Sequence, residues 1–180
     1  IRRLVVVADR GLLSLDNIDA LSKLQVGSGR ALEFILAVPG RRYGEFAHLL
    51  QPISEQAAQA SEEVVAECEW QGHRLVVAHN PLQAAQQTQD RHSRIHALEQ
   101  RAAQLAGKLD AQEAGKVQRG RKLSDSGAKA RFFHEVSDAH LARIIKVDVK
   151  CDLFTYSIAE AALARAQIMD GKLMLVTNVQ

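Results

Sequence analysis

The strongest constraint on the fold is a run of five apolar residues near the start of the chain, Leu4 to Ala8, which contains three consecutive valines. Such a run predicts a strand that is buried on both faces of a sheet. The carboxylate of Asp9 follows directly, and Arg10-Gly11 comes next. Because open α/β sheets place their ligands outside the carboxyl ends of strands, Asp9 is the first candidate for a functional residue. The alternative is that Asp9 only opens a turn.

The residues after this run predict a helix and then a second strand. Ser14 can cap a helix whose apolar residues recur at helical spacing, at positions 15, 18, 21 and 24, and Gly27 and Gly29 end it. Residues 33–38 predict a second buried strand, which Pro39-Gly40 stops. A strand, helix and strand in this order usually form a right-handed crossover between parallel strands.

Three segments carry a resemblance to a known family: Val6 to Gly11, Phe34 to Val38, and Met169 to Asn178 near the end of the chain. Together they resemble the catalytic domain of bacterial insertion-sequence transposases of the DDE type, in which the last segment precedes the helix with the final catalytic carboxylate. The order and separation of the segments carry the resemblance, because Asp-Arg-Gly and Asp-Gly are each common. It spans almost the whole chain.

The resemblance implies a fold class and a domain organisation. The fold would be α/β, a partial ribonuclease H-like core with a mixed α+β insertion that contains a long helix. Residues 1–45 would form part of the core, residues 46–168 the insertion domain, and residues 169–180 the return strand of the core.

The resemblance also implies an activity, which is Mg²⁺-dependent cleavage and joining of transposon-end DNA. Asp9 matches the family's second catalytic carboxylate and would be a ligand of one of two Mg²⁺ ions in the full-length parent. The first carboxylate would lie upstream of Ile1 and the last beyond Gln180. We therefore expect this chain to be a central fragment that is inactive alone. The expected partners are DNA and a second copy in a homodimer.

Composition bears on location more than on chemistry. The chain has 180 residues, a formal net charge of +2 and two cysteines, which form no disulfide framework. A reducing bacterial cytoplasm is therefore the simpler expectation. No apolar run is long enough to span a membrane, so we expect no membrane partner.

Basic residues in two places are candidates for contacts with DNA phosphates. The first pair is Arg41 and Arg42, after the second predicted strand, and a solvated loop is the alternative there. The second set shares the most basic run of the chain, which contains two glycines and no acid: Lys116, Arg119, Arg121 and Lys122. A flexible basic loop can follow a DNA backbone without reading its sequence, and a mobile linker is the alternative.

The middle of the chain predicts a β-hairpin followed by a long helix. Residues 63–80 alternate as two strands around Gln71-Gly72, and Asn80-Pro81 is a strong helix start. The helix carries a narrow apolar seam, typical of a helical hairpin or a short coiled coil. Its members are Ile95, Leu98, Ala102, Leu105 and Leu109.

Two groups of side chains in this part have a spacing that raises the question of a metal. Cys68, His73 and His79 lie close together in the predicted hairpin, but four ligands at a defined spacing are lacking. His92 and His96 stand four residues apart and would share a helix face. No glutamate stands beside His92 as in a zinc-protease helix, so a solvated face is the alternative.

The remaining segments predict a second helix, two strands and a third helix. Ser124-Asp125 opens a helix whose apolar side would be Phe132, Phe133 and Val136. The strands, 144–149 and near 153–157, would extend the hairpin's sheet. Residues 159–168 predict a short helix and Asp170-Gly171 a turn before a buried strand, which makes Asp170 structural.

Two other functions compete with the transposase hypothesis. In the first, the long helix and its partners form a non-catalytic module that binds the DNA backbone or oligomerises, and the strand ending at Asp9 is scaffold. The second is a nucleotide-binding domain. It is disfavoured because the turn after the first strand lacks the glycine spacing of a phosphate-binding loop and no Gly-Lys-Ser/Thr motif occurs.

Overall fold

The computed structural model describes residues 3–9, 17–27, 29–57, 62–116 and 122–179. The predicted helix cap Ser14 and the basic residues Arg119 and Arg121 lie outside these ranges. The chain divides into two compact units, which are described separately. Unit 1 comprises residues 1–86 and 168–180, and unit 2 comprises residues 87–167.

Unit 1 is built on a five-stranded mixed sheet in the order β1-β2-β7-β4-β3. Its strands are β1 (Val5–Ala8), β2 (Glu33–Ala37), β3 (Val64–Trp70), β4 (His73–His79) and β7 (Lys172–Thr177). The short helix α1 (Ile18–Ser22) connects β1 to β2, and the two strands pair in parallel, as the sequence predicts. All other pairings in this sheet are antiparallel.

The prediction that β1 is buried on both faces is wrong. Val7 is 72% exposed and Val5 37%, whereas Ala8 is only 6% exposed. The physical reason is that β1 is an edge strand of a sheet whose core lies against one face. A run of valines indicates a high strand propensity, but it does not indicate which faces of the strand pack against other elements.

The core of unit 1 lies between one face of the sheet and a helical layer. Strands β2, β4 and β7 contribute alternate side chains that are fully buried, among them Phe34, Leu75 and Met174. A 3₁₀ helix (Gly40–Phe46) and helix α2 (Ala47–Ala57) supply Phe46 and the other apolar residues of the layer. Each fully buried large side chain contributes about 1.5–3 kcal/mol.

Helix α2 continues through Pro52, and residues 54–57 after the proline are helical. Proline removes one backbone hydrogen bond from a helix. The burial of Leu50 and Ile53 on either side of Pro52 offsets this loss, because both side chains pack into the core.

The predicted hairpin is confirmed as β3 and β4. Both residues of its turn have positive φ, +51° at Gln71 and +76° at Gly72, which is typical of a tight hairpin turn. Trp70 packs on the core side, with its ring centroid 5.1 Å from that of Phe46. Val65 lies on the opposite face and is 62% exposed.

Unit 2 is organised around the long helix α3 (Pro81–Glu113), whose first six residues belong to unit 1. Asn80 caps it, because its Oδ1 accepts from the backbone N–H of Gln83 at 2.9 Å. The predicted seam is confirmed from Ile95 to Leu105, and it packs with α4 (Asp125–Asp138). Ser124 caps α4 as predicted.

Two predictions for unit 2 are wrong. Phe133 does not share the buried side of α4 with Phe132 and is 51% exposed. The strands β5 (Ile145–Val147) and β6 (Tyr156–Ile158) do not extend the hairpin's sheet but form a separate two-stranded sheet. Apolar residues of this small sheet pack with the α3–α4 seam, so its core lies within unit 2.

The last helix, α5 (Glu160–Met169), and the turn at Asp170-Gly171 are confirmed. The chain is thus a mixed α/β protein with a five-stranded sheet and a long helix. The predicted domain boundaries at residues 45 and 168 come from the resemblance to a family, and they stay a prediction. Among the described residues, no helix is long and apolar enough to cross a membrane.

Gly171 offers a test of how tightly unit 1 is packed. Its φ is +66°, and a Cβ there would lie 2.7 Å from the Cβ of Ala84 and collide with the carbonyl oxygen of Asn80. Gly171→Ala should therefore lower the free energy of unfolding by about 1–2 kcal/mol for the left-handed backbone, with about 1–3 kcal/mol more for the collision.

Gly72→Ala is the matched control for this substitution. Gly72 has a similar φ of +76° but open space around the added Cβ. Urea unfolding of both variants measures the difference, and equal losses would show that the collision at Gly171 is relieved at no cost.

Candidate functional site

Four strands of the unit 1 sheet have their ends along the same side of the sheet, and several polar residues lie there. Strands β1 and β2 run in parallel with Ala8 opposite Leu36, so their carboxyl ends meet at this edge. The carboxyl end of β4 and the amino end of β7 reach the same edge, because His79 stands opposite Lys172. We call this the carboxyl edge.

Asp9 lies at the carboxyl edge, directly after β1, and its side chain is exposed. It therefore has the position that the sequence predicts, at the end of a strand with a parallel neighbour. A carboxylate oxygen is the kind of ligand that Mg²⁺ prefers. The carboxylate of Asp9 is therefore a suitable type of ligand for Mg²⁺, but Asp9 supplies only one carboxylate. Among the described residues, no three His, Cys, Asp or Glu side chains form a group that could hold a metal.

Arg41 and Arg42 follow β2 in the 3₁₀ helix, but the structure separates their roles. The guanidinium of Arg42 donates two hydrogen bonds to the Glu45 carboxylate, both at 2.9 Å. Arg41 is exposed, and no ion-pair partner for it occurs within the described ranges. An arginine that is already neutralised is a poorer phosphate ligand, so Arg41 is the better candidate of the two.

A buried polar cluster, which the sequence did not predict, lies at the same edge. It consists of His79, Asp170 and Lys172. Lys172 and His79 are only 8% and 7% exposed, and the ammonium of Lys172 lies 3.4 Å from Nδ1 of His79. Burial lowers the pKa of Lys172, and the nearby carboxylate of Asp170 partly offsets this. Burial and the Lys172 charge lower the pKa of His79, although its hydrogen bond to the Asp170 backbone opposes them.

This cluster has a structural role. Asp170 is 5% exposed, and the adjacent Gly171 accepts a backbone hydrogen bond from Asn80 at 2.8 Å. The interpretation of Asp170 as structural therefore agrees with its surroundings. Only the strand pairing places His79 beside Lys172, which is 93 residues later, so no local signal in the sequence marks the contact.

The hairpin does not bring Cys68, His73 and His79 together. His73 and His79 are the first and last residues of β4. They therefore lie about 20 Å apart along an extended strand. Burial raises the pKa of the Cys68 thiol, which disfavours the thiolate that a metal requires.

Asp148 stabilises a turn of unit 2. Its Oδ1 accepts from the backbone N–H groups of Lys150 at 2.9 Å and Cys151 at 3.2 Å. These two hydrogen bonds lower the pKa of its carboxyl group. The geometry is that of an aspartate that satisfies a local loop.

The first and last basic residues of the run in unit 2 lie within the described ranges. Lys116 and Lys122 are exposed, and the residues between them lie outside the described ranges. The side-chain amide of Gln112 accepts from the backbone N–H of Leu123 at 2.7 Å and donates to the Leu123 carbonyl at 2.8 Å. This clamp holds the two ends of the run near each other.

Comparisons with protein-family models, with curated proteins and with solved structures find no match to this chain.

The buried cluster predicts how the stability of unit 1 depends on pH. The pKa of His79 is lowered in the folded state from an ordinary value of 6.5, so the unfolded chain binds the proton first. The contribution of His79 to the free energy of unfolding should therefore be fully present above about pH 6.5 and should be lost as the pH falls from this value through the lowered pKa of the folded state. Urea unfolding monitored by Trp70 fluorescence at a series of pH values measures this slope.

His79→Gln should flatten the slope, because the group that resists protonation is gone. His134→Gln is the control, because His134 is an exposed histidine of unit 2. If the pH dependence of His79→Gln is as steep as that of the unsubstituted protein, then His79 is not its source.

Proposed function

We propose that this chain is the central part of a DDE transposase whose full-length form cleaves and joins DNA. Two features support the proposal. An exposed carboxylate, Asp9, ends the first strand of a parallel strand–helix–strand unit. The chain then leaves the sheet for residues 87–167 and returns to it with β7, which pairs directly with β2. An interruption of the chain between strands of one sheet supports the split core that the resemblance implies, and a ribonuclease H-like fold is part of the proposal.

The reaction would be phosphoryl transfer with a metal pair. Two Mg²⁺ ions, when bound, supply activation of the attacking oxygen and stabilisation of the leaving oxygen. In this chain Asp9 would hold one oxygen-ligand position. The sheet fixes the backbone of Asp9 through the pairing of Ala8 with Leu36, while its side chain stays accessible to DNA. A fixed backbone and an accessible side chain suit a residue that positions a metal ion beside DNA.

Each of the two units carries basic residues that are candidates for contacts with DNA phosphates. Arg41 lies at the carboxyl edge, and the strand β2 that precedes it is the neighbour of β1. In unit 2 the sequence carries 14 Lys and Arg residues against 10 Asp and Glu, whereas the rest of the chain carries 9 against 11. The excess positive charge therefore lies in unit 2, which contains the basic run. Arg119 and Arg121 remain proposed phosphate ligands on the sequence alone.

The test of the metal role uses Mn²⁺, which is paramagnetic and accepts the same oxygen ligands as Mg²⁺. Mn²⁺ should broaden the backbone NMR signals of β1 and of the β2 carboxyl end, because its binding site is the Asp9 carboxylate. In Asp9→Asn this broadening should be lost, while the chemical shifts of the core strands stay unchanged.

Asp19→Asn is the matched control for Asp9→Asn. Asp19 is an exposed aspartate in α1 of the same unit. Broadening that persists in Asp9→Asn, or that centres on another carboxylate, would contradict the metal role of Asp9.

The two adjacent arginines, Arg41 and Arg42, allow a sharp test of DNA binding. Arg41→Ala should lower the steepness of the dependence of log affinity on log salt by about 0.9, the value of one phosphate contact with duplex DNA. Arg42→Ala should leave the slope nearly unchanged, because Glu45 already neutralises Arg42. Fluorescence anisotropy with a labelled duplex at several salt concentrations measures both slopes.

Equal slopes for the unsubstituted protein and the two variants would remove Arg41 from the proposed interface. The non-catalytic module remains the second candidate, favoured by the clamped basic run of unit 2. It predicts salt-dependent DNA binding together with no effect of Asp9→Asn on Mn²⁺ broadening, so the two experiments together distinguish the candidates.

A further inference from the structure

Two histidines of α3 form a feature that the proposed function does not use. The helix is continuous from Pro81 to Glu113, and His92 and His96 lie within it, four residues apart. Residues at this spacing lie one above the other on the same helix face, with Cβ atoms about 5–6 Å apart. Both side chains are exposed, and that of His96 is 70% exposed. Two imidazoles at this spacing can bind one metal ion.

Each of the two rings has a glutamine side chain beside its Nε2 atom. Nε2 of His96 lies 3.0 Å from the side-chain amide nitrogen of Gln100, and Nε2 of His92 lies 3.4 Å from that of Gln167. A metal ion needs the lone pair of Nε2 from an imidazole, so an ion would take the place of both amide groups. Both glutamines are exposed and can give way to an ion.

A carboxylate lies near the second nitrogen of one ring. Oε2 of Glu99 is 3.9 Å from Nδ1 of His96, which is too far for a hydrogen bond. Metal-binding histidines commonly donate their second ring N–H to a carboxylate, and Glu99 is the nearby group that could take this place when an ion binds.

We propose that His92 and His96 bind one divalent ion of the class that prefers nitrogen ligands, namely Ni²⁺, Cu²⁺ or Zn²⁺, through their Nε2 atoms. Imidazole suits these ions, whereas Mg²⁺ prefers oxygen. In the described part of the chain no third His, Cys, Asp or Glu completes the set, so water fills the other positions. This site is in unit 2 and does not rest on the proposed function or on Asp9.

The test uses Ni²⁺ alone with the whole chain. Isothermal titration gives the affinity, and paramagnetic broadening of the imidazole NMR signals locates the ion. Broadening should centre on His92 and His96. His92→Gln and His96→Gln should each weaken binding at least about tenfold, since loss of an outer-shell partner alone typically costs 10–100-fold. Glu99→Gln should weaken it less than loss of either histidine. Binding should also weaken as the pH falls, because protons compete for the same nitrogens.

A shifted variant separates the spacing from the number of histidines. His96→Gln combined with Ala97→His keeps two histidines on α3 but places them five residues apart, on different faces of the helix. Position 97 is exposed, so the change leaves the seam intact. We expect this variant to bind Ni²⁺ as weakly as His96→Gln, and His134→Gln on α4 to bind it as tightly as the unsubstituted protein.

Three results would overturn the proposal. They are broadening centred on other histidines, unchanged affinity in His92→Gln or His96→Gln, and full affinity in the shifted variant. Circular dichroism of each variant confirms that α3 is intact, so that a lost affinity is not a lost fold.

Discussion

The pairing of β7 between β2 and β4 is the interaction on which unit 1 depends. Side chains reinforce it: Thr177 Oγ1 donates to the Phe34 carbonyl at 2.6 Å, and Asn178 Oδ1 accepts from the Phe34 N–H at 2.8 Å. The Tyr43 hydroxyl donates to the Lys172 carbonyl and accepts from the Met174 N–H, both at 3.3 Å. Without β7, the β1–β2 pair and the hairpin would be separate pieces, each too small to be stable.

The carboxyl edge is a consequence of this central strand. The register of β7 with β2 on one side and with β4 on the other sets where each neighbouring strand ends. Asp9 is placed through one of these neighbours and His79 through the other. The proposed metal ligand and a structural cluster therefore share one edge. Asp9 is exposed, whereas His79 and Lys172 are buried and hold the strand ends together.

Unit 2 has its own core and its own chemistry. The seam of α3 packs with α4 and the β5–β6 sheet, and Arg101 and Glu135 join the two helices at 2.9 Å. The histidines proposed to bind a metal lie on an exposed face of α3, away from the seam. A nitrogen site there and an oxygen ligand at Asp9 would select different ions, because imidazole and carboxylate differ in the metals that they prefer.

The sequence by itself determined the features that a few neighbouring residues specify. The caps Asn80 and Ser124 and the turn at Gln71-Gly72 were predicted correctly, because each satisfies its own backbone locally. Only the tertiary structure decided that the valines of β1 lie at an edge and that β5 and β6 form their own sheet. It alone decided that His79 meets Lys172. Strand neighbours and covered faces follow from pairing between residues far apart in sequence, and no local pattern encodes that pairing.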